Sequence, residues 1–204
     1  MSSDMSLQTV YIIDDDEAVR DSMSMLLEVI DITSSCFENA NEFLDGYSGV
    51  ERGCLILDIR MPGLTGMELQ KKLNLTGSVL PIIFMTGHGD VPMAVEAMRE
   101  GAFNFLRKPI NEAELIEHIE LAFKQELILW SEKQDRDLFS RKLESLTPRE
   151  TEIFNLVAEG LSNKIIADQL HISERTVEVH RSQVMKKLDV RTLADLVRVQ
   201  IAIG

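Results

Sequence analysis

Several features of other protein classes are missing from this sequence of 204 residues. It contains no run of the roughly eighteen apolar residues that a membrane-spanning helix needs, and its first residues lack the pattern of a secretion signal. Only two cysteines occur, Cys36 and Cys54, each in an apolar stretch, which excludes a disulfide scaffold and predicts two buried thiols. A hydrophobic share of 45% excludes disorder. We expect a cytoplasmic globular protein without a membrane partner, built of one large or two small domains.

Charge is unevenly distributed along the chain. The whole sequence has a net charge of −13, which taken alone argues against nucleic acid as a partner. Residues 143–204, however, contain 8 basic and 9 acidic residues, so their net charge is −1 and the preceding residues carry −12. The acidity belongs to the first part of the chain, and the second part remains a candidate for binding nucleic acid.

The first 125 residues alternate short apolar runs with amphipathic stretches, a pattern typical of parallel strands joined by helices. The predicted strands cover residues 9–13, 32–37, 54–57, 81–85 and 103–106. Continuous apolar strands favour a doubly wound α/β fold, in which helices cover both faces of a five-stranded parallel sheet. Ligands of such sheets bind at the carboxyl ends of the strands.

A helical pattern continues unusually far after Glu112. Apolar residues recur every three or four positions from Ile116 to Trp130, and the charge-rich residues 131–144 follow. One interpretation is a docked last helix with a polar extension. The other is a connector that also pairs with a second protomer, although its heptad pattern lasts barely two repeats. The predicted domains are residues 1–125 and 143–204, joined by a helical linker over residues 126–142.

The second domain is predicted to be all α. Thr147, Pro148 and Glu150 occupy the N-cap, first and third positions of a helix start. Four short helices are predicted over residues 148–158, 162–170, 173–188 and 192–203. Short helices joined by tight turns are typical of a helix-turn-helix domain.

Acidic side chains gather at the predicted strand ends. Asp14 and Asp15 follow the first strand, and Asp58 follows the third, so these carboxylates converge if the two strands are neighbours. Converging carboxylates repel each other unless a cation lies among them, and a hard ion with few protein ligands indicates Mg²⁺. Thr86 and Lys108 end the last two strands, and the complete set suits a phosphoryl group.

Helix capping is the alternative explanation for acids after a strand. We prefer it for Asp16 and Glu17, because acids stabilise the first turn of a helix. Capping also remains an alternative for Asp14 and Asp15, and a simple turn remains one for Lys108 with Pro109.

The motifs at these strand ends resemble the receiver domain of response regulators. They are Ile-Ile-Asp-Asp-Asp at 12–16, Leu-Asp-Ile-Arg-Met-Pro-Gly at 57–63, Met-Thr-Gly-His-Gly-Asp at 85–90 and Lys-Pro at 108–109. The resemblance covers the first 125 residues and implies a flavodoxin-like (CheY-like) fold with Asp58 as the phosphoacceptor. It also implies that Asp14, Asp15, Asp58 and the backbone carbonyl of Arg60 hold Mg²⁺, or Mn²⁺ in its place.

The same resemblance implies a switch. Thr86 and Phe105 match the pair that responds to phosphorylation, and Lys108 matches the lysine that contacts the phosphoryl group, before a cis bond to Pro109. Arg60 and His88 lie two positions after Asp58 and Thr86, where this family tunes the lifetime of the phosphoryl group. A plain loop residue is the alternative for His88.

The predicted helix over residues 173–188 has one inward and one outward face. Val177, Val184 and Leu188 form the inward stripe, and His180 shares that side and is interpreted as structural. The opposite face, expected in the major groove of DNA, carries Arg175, Glu178, Val179, Ser182 and Lys186. Candidates for contacts to DNA phosphates are Arg181, Lys187, Lys164 and Asn163. Because Glu178 can accept from cytosine or repel phosphate, the base preference there stays open.

A second resemblance concerns this domain. Leu-Thr-Pro-Arg-Glu at 146–150, Gly-Leu-Ser-Asn-Lys-Ile-Ile-Ala at 160–167 and Arg-Thr-Val-Glu-Val-His-Arg at 175–181 resemble the LuxR-type DNA-binding domain. Together with the receiver, they make the chain similar to the FixJ-like subgroup of the NarL/FixJ family. The resemblance implies phosphorylation of Asp58 by a sensor histidine kinase, then formation of a homodimer or unmasking of the second domain. That domain would bind promoter DNA and, with RNA polymerase as a further partner, activate transcription.

Two other functions fit the sequence less well. A hydrolase of the haloacid-dehalogenase type also uses a nucleophilic Asp on a parallel sheet. It places a second acid two residues after the nucleophile, where this chain has Arg60, and it leaves the helix-turn-helix unexplained. No enzymatic activity is therefore expected beyond slow autodephosphorylation. A regulator that works without phosphorylation is disfavoured by the complete set of acids, threonine and lysine.

Overall fold

The computed structural model describes residues 8–87 and 91–203. Contacts within the chain define two compact units, Met1–Leu129 and Trp130–Gly204. The division into residues 1–125, 126–142 and 143–204 stays a prediction. Among the described residues, no helix is both long enough and apolar enough to cross a membrane.

The first unit contains a five-stranded parallel sheet. Its strands are β1 (Thr9–Ile13), β2 (Ser34–Phe37), β3 (Gly53–Asp58), β4 (Ile82–Thr86) and β5 (Asn104–Arg107). They lie in the order β2-β1-β3-β4-β5, and all four pairings are parallel. Since β1 lies between β2 and β3, the chain winds in two directions from this strand, and the doubly wound fold is confirmed.

Helices cover both faces of this sheet. They are α1 (Glu17–Val29), α2 (Ala40–Gly46), α3 (Gly66–Leu75), α4 (Val91–Arg99) and the first part of α5 (Glu112–Glu144). Alternate residues of β3 enter different cores: Leu55 and Leu57 pack with Phe84 on one side, and Cys54 and Ile56 pack on the other. A strand buried on both faces has no polar side, which explains its continuous apolar sequence.

Helix capping accounts for Asp16, as the sequence predicts. Its carboxylate accepts a hydrogen bond from the backbone N–H of Ala18 at 2.9 Å and caps α1, and Glu17 lies in the first turn. The prediction for Cys36 is wrong, because this thiol is exposed, whereas Cys54 is buried. Cys36 belongs to β2 at the edge of the sheet, where the apolar run has a solvent-facing side.

A buried carboxylate ties α5 to the amino ends of β1 and β3. Glu126 is fully buried and accepts hydrogen bonds from Gln8 at 2.7 Å and from both Nε and Nη2 of Arg52. Gln8 also donates to the carbonyl of Phe123 at 2.9 Å. A buried charge needs such partners because its hydration is lost on folding. We call Gln8, Arg52 and Glu126 the α5 anchor.

The second unit consists of the end of α5 and four shorter helices. These are α6 (Pro148–Ala158), α7 (Asn163–Leu170), α8 (Glu174–Leu188) and α9 (Leu193–Ile203), each within one residue of its predicted bounds. The hydroxyl of Thr147 and the carboxylate of Glu150 form the capping box that starts α6. Val177, Val184 and Leu188 enter the core, and Phe139 and Leu143 of α5 pack against it.

We predict that Glu126→Ala destabilises the first unit by roughly 3 kcal/mol, because it leaves the arginine of a buried ion pair without its carboxylate. Urea unfolding followed by circular dichroism measures this change. Glu120→Ala removes an exposed glutamate from the same helix and is expected to change the free energy of unfolding by less than about 0.5 kcal/mol. Equal effects of the two substitutions would show that the anchor contributes nothing.

Candidate functional site

Two acidic side chains meet at the carboxyl edge of the sheet. Ile13 of β1 is paired in register with Leu57 of β3, so the next residues along each strand, Asp14 and Asp58, are neighbours. Asp14 is 1% exposed and Asp58 is 8% exposed. The predicted convergence of these two carboxylates is therefore present in the fold.

Lys108 lies between the two carboxylates. Its Nζ donates to Oδ2 of Asp14 at 2.7 Å and to Oδ1 of Asp58 at 2.6 Å. The backbone N–H of Lys108 donates to the carbonyl of Thr86 at 2.6 Å, which fixes this residue beside the end of β4. The peptide bond to Pro109 is cis, as the resemblance implies. One ammonium group thus offsets the repulsion between two buried acids.

Burial and charge act on Asp58 in opposite directions. Burial raises the pKa of its carboxyl group, and the hydrogen bond and charge of Lys108 lower it. The backbone N–H of Arg60, which donates to Oδ2 of Asp58 at 2.6 Å, lowers this pKa too, while Asp14 raises it. The net pKa lies above the ordinary value for aspartate. Burial lowers the pKa of Lys108, but Asp14 and Asp58 raise it above the ordinary value, so the lysine stays charged at neutral pH.

The predicted metal ligands are only partly drawn together. Asp14 and Asp58 both contact the ammonium of Lys108, whereas Asp15 and Arg60 are exposed at the same edge. Among the residues that the structure describes, no three side chains of the His, Cys, Asp or Glu type form a group that holds a metal. The assignment of Asp14, Asp15, Asp58 and the Arg60 carbonyl to a metal site stays a prediction.

The two predicted switch residues end up on adjacent strands. Thr86 is buried at the end of β4, where its hydroxyl donates to the carbonyl of Gly87 at 3.4 Å. Phe105 of β5 is half-buried, is paired in register with Phe84 and packs against the core on that face. His88 lies outside the described residues, as does part of the motif that contains it.

The outward face of α8 matches its predicted composition. All five residues predicted for the major groove are exposed: Arg175, Glu178, Val179, Ser182 and Lys186. The three residues of the inward stripe are buried and His180 is half-buried. The helix therefore presents a mostly polar surface to solvent, and Val179 is the apolar residue among these five.

The four phosphate-contact candidates differ in their surroundings. Lys164 is exposed. Arg181 donates to Oδ1 of Asn163 at 2.6 Å, which joins α8 to the start of α7. Lys187 is half-buried, and its ammonium contacts Glu150 at 2.6 Å and the carbonyl of Ser145 at 3.1 Å. These contacts give Lys187 a structural role that sequence reasoning missed, and its role at DNA stays a prediction.

Comparisons with known proteins agree with both parts of this geometry. Residues 10–120 match the response regulator receiver domain family, and residues 144–200 match the luxR family of bacterial regulatory proteins. The chain is 45% identical to the transcriptional regulatory protein FixJ of Bradyrhizobium diazoefficiens, over 96% of this chain and 95% of that protein. The chain belongs to the FixJ-like response regulators.

Solved structures of other response regulators share this fold. Full-length FixJ from B. japonicum is 42% identical, with 97% of each chain covered and a TM-score of 0.59. The response regulator StyR is 41% identical, with 95% of this chain and 98% of that chain covered and a TM-score of 0.76. This FixJ-like regulator is a two-component regulator of transcription, and neither matched family is an enzyme family.

Gly66 lies directly beside Asp58, and sequence reasoning did not single it out. A Cβ atom at this first residue of α3 would lie 2.3 Å from the carbonyl oxygen of Asp58 and 3.1 Å from the ring of Phe84. A side chain there would push α3 away from the strand end that carries Asp58. The only signal in the sequence is a glycine directly after the helix-capping Thr65.

We predict that Glu150→Gln makes the DNA-binding domain less stable at neutral pH but less sensitive to acid. Lys187, together with the backbone N–H of Thr147, lowers the pKa of Glu150 to about 2 from its ordinary value of 4.5. A lowered pKa adds stability above pH 4.5, and this stability is lost as the pH falls toward 2. Thermal unfolding at neutral pH should show a Tm lower by about 5 °C in the variant.

The control for this prediction is Glu159→Gln, an exposed glutamate at the end of α6. Its unfolding temperature should remain close to that of the unchanged chain at each pH. The Glu150→Gln and unchanged proteins should converge in stability near pH 2. A difference between them that stays constant from pH 7 to about 2 would contradict the assigned ion pair.

Proposed function

We propose that Asp58 of this FixJ-like regulator accepts a phosphoryl group from a sensor histidine kinase. The observation that carries this proposal is the shared contact of Asp14 and Asp58 with the ammonium of Lys108 at the sheet edge. Two acids and a lysine provide a nucleophile and a fixed positive charge beside it. Residues 1–125 are assigned to this receiver function, residues 126–142 to a linker and residues 143–204 to DNA binding.

The transfer requires an ionised Asp58. An oxygen of its carboxylate attacks the phosphorus of a phosphohistidine, so that a P–O bond forms as the P–N bond breaks and the imidazole leaves with the electron pair. Lys108 favours the ionised carboxylate and remains beside the phosphoryl oxygens, which carry nearly two negative charges in the product. Slow hydrolysis of this acyl phosphate would return the protein to its resting state, with the exposed Arg60 two positions away to influence the rate.

A divalent cation fits the chemistry of this edge. Its oxygen ligands would be the carboxylates of Asp14, Asp15 and Asp58 and the backbone carbonyl of Arg60, a set suited to Mg²⁺ or Mn²⁺. The ammonium of Lys108 offsets only one of the carboxylate charges of Asp14, Asp15 and Asp58, so the edge keeps a net negative charge, which supports this fit. When bound, the ion neutralises charge on the phosphoryl group during transfer.

Phosphorylation would then repack the face formed by α4 and β5. The Thr86 hydroxyl lies at the end of β4 and can donate to a phosphoryl oxygen, which leaves space for Phe105 to rotate inward. Val95 and Met98 expose an apolar patch on α4, with 47% and 45% of each residue accessible. A homodimer formed through this face would bury that patch.

The outward face of α8 is assigned to the major groove of promoter DNA. One helix-turn-helix makes few contacts, so two copies on half-sites about 34 Å apart are needed for tight binding. The protein would act in the cytoplasm, where it would recruit or contact RNA polymerase and activate transcription. Relatives named transcriptional regulatory protein FixJ support this assignment.

We predict that beryllofluoride with Mg²⁺ doubles the mass of the wild-type chain in size-exclusion light scattering, and that Asp58→Asn stays monomeric. Beryllofluoride mimics a phosphoryl group only on a carboxylate, which asparagine lacks. Asp45→Asn replaces an exposed aspartate elsewhere in the receiver and should dimerise like the wild type. If intact mass shows phosphorylation but the assembly stays monomeric, dimerisation is not the response to phosphorylation, and unmasking of the second domain takes its place as the explanation. Phosphorylation of Asp58→Asn would contradict the phosphoacceptor assignment.

We also predict that Asp15→Asn weakens binding of Mg²⁺ about tenfold, since the number of charged ligands sets the affinity of such sites. Isothermal titration calorimetry of the full chain measures this directly. Asp16→Asn is the matched control, because asparagine caps a helix as well as aspartate does and α1 is preserved. Unchanged affinity in Asp15→Asn, or an equal loss in Asp16→Asn, would remove Asp15 from the ligand set.

A further inference from the structure

At the carboxyl-terminal ends of α5 and α8, a lysine from each helix contacts the end of the other helix. Lys142, in the last turn of α5, donates to the carbonyl of Leu188 at 3.0 Å and lies 3.7 Å from the carboxylate of Asp189. Lys187, in the last turn of α8, donates to the carbonyl of Ser145, directly after α5, at 3.1 Å. Each lysine therefore reaches the end of the other helix. We call Lys142 and Lys187 the reciprocal lysine pair.

Helix electrostatics explain why this pairing is favourable. The last carbonyl groups of a helix have no partner within the helix and carry a partial negative charge, so two such ends placed side by side repel each other. A lysine from each helix supplies a hydrogen bond and a positive charge to the other end. Asp189 ends α8 in the left-handed conformation at φ 56°, which directs the chain away from the helix at this junction.

The junction also includes the start of α6. Lys187 contacts Glu150 at 2.6 Å, and Glu150 accepts from the backbone N–H of Thr147 in the capping box. Phe139 and Leu143, which flank Lys142 on α5, pack against the core that contains Leu188. The end of α8 is thus held by the last turn of α5 and by the first turn of α6.

We propose that Lys142 and Lys187 are positioning residues for DNA recognition, which fix the carboxyl-terminal half of α8 and do not touch DNA. For Lys187, this role would replace the phosphate contact that its sequence pattern predicts. This inference rests on the proposed binding of DNA by α8. Ser182 and Lys186 lie on the outward face of that half, so a shift of its last turn would displace them from the groove. Lys186 is exposed, whereas Lys142 and Lys187 expose only 24% and 32% of their side chains.

The salt dependence of DNA binding separates a positioning lysine from one that contacts phosphate. Each contact between a basic side chain and a phosphate adds close to one to the slope of log K against log salt concentration. Removing a phosphate contact therefore lowers the slope. Removing a positioning residue weakens binding at every salt concentration and leaves the slope unchanged.

The experiment measures binding of the full chain, activated with beryllofluoride, to a duplex that the wild-type chain selects from a random-sequence pool. Fluorescence anisotropy between about 50 and 200 mM KCl gives affinity and slope. We expect Lys142→Met and Lys187→Met each to weaken binding about tenfold at constant slope, and Lys186→Met to lower the slope by about one. Lys142→Arg keeps the donor and the charge and should restore affinity.

Three results of this experiment would overturn the proposal. A slope lowered by one in Lys187→Met would show that this lysine contacts phosphate. Unchanged affinity in Lys142→Met and Lys187→Met, with only a lower Tm, would show a merely structural role. A wild-type chain that selects no duplex would overturn DNA binding as well as this inference, so the two failures are distinguishable.

Hydrogen exchange provides a test without DNA. In Lys142→Met, the amides of residues 184–190 should exchange faster than in the wild type, because the last turn of α8 loses its hold on α5. Arg141→Met changes the neighbouring exposed base of α5 and should leave this exchange unchanged. Equal exchange in Lys142→Met and the wild type would contradict the proposed contact and overturn the positioning role.

Discussion

Two carboxylates buried side by side at a sheet edge repel each other, and this fold brings Asp14 and Asp58 to that situation by placing β1 next to β3. The ammonium of Lys108 relieves the repulsion by contacting both. The same arrangement keeps an acid available as a nucleophile and supplies positive charge where a phosphoryl group would arrive. Strand order therefore brings the two acids together, the lysine offsets their repulsion, and the proposed phosphoacceptor chemistry would use the same charges.

Residues whose roles follow from local pattern were predictable from the sequence. The β strands and the helices α6 to α9 follow from apolar periodicity, and the position of Asp58 follows from the rule that ligands bind at strand carboxyl ends. Asp16 and Thr147 are caps that their own neighbours in sequence define. In each case the physics acts within a few residues, or along a strand whose neighbours the α/β pattern already implies.

Residues whose partners are distant in sequence were not predictable in this way. The helical periodicity around Glu126 does not indicate which residue it contacts. In the structure it pairs with Arg52, 74 residues earlier. Lys187 matches the pattern of a phosphate contact, but the packing of α6 and α8 directs it to Glu150. Cys36 has an apolar neighbourhood, and its exposure follows only from the place of β2 at the sheet edge.

Several basic residues of the second domain make contacts within the domain, and this limits how many are available to contact DNA. Of its 8 basic residues, four contact groups within the domain, namely Arg149, Arg181, Lys187 and Arg198, so at most four remain uncommitted, beside 9 acidic residues. Non-specific attraction to DNA grows with the number of phosphates neutralised. A single domain with so few uncommitted bases gains little from that attraction, and two domains on one duplex roughly double it. Under the proposed function, control of dimer formation would then be sufficient to control DNA binding.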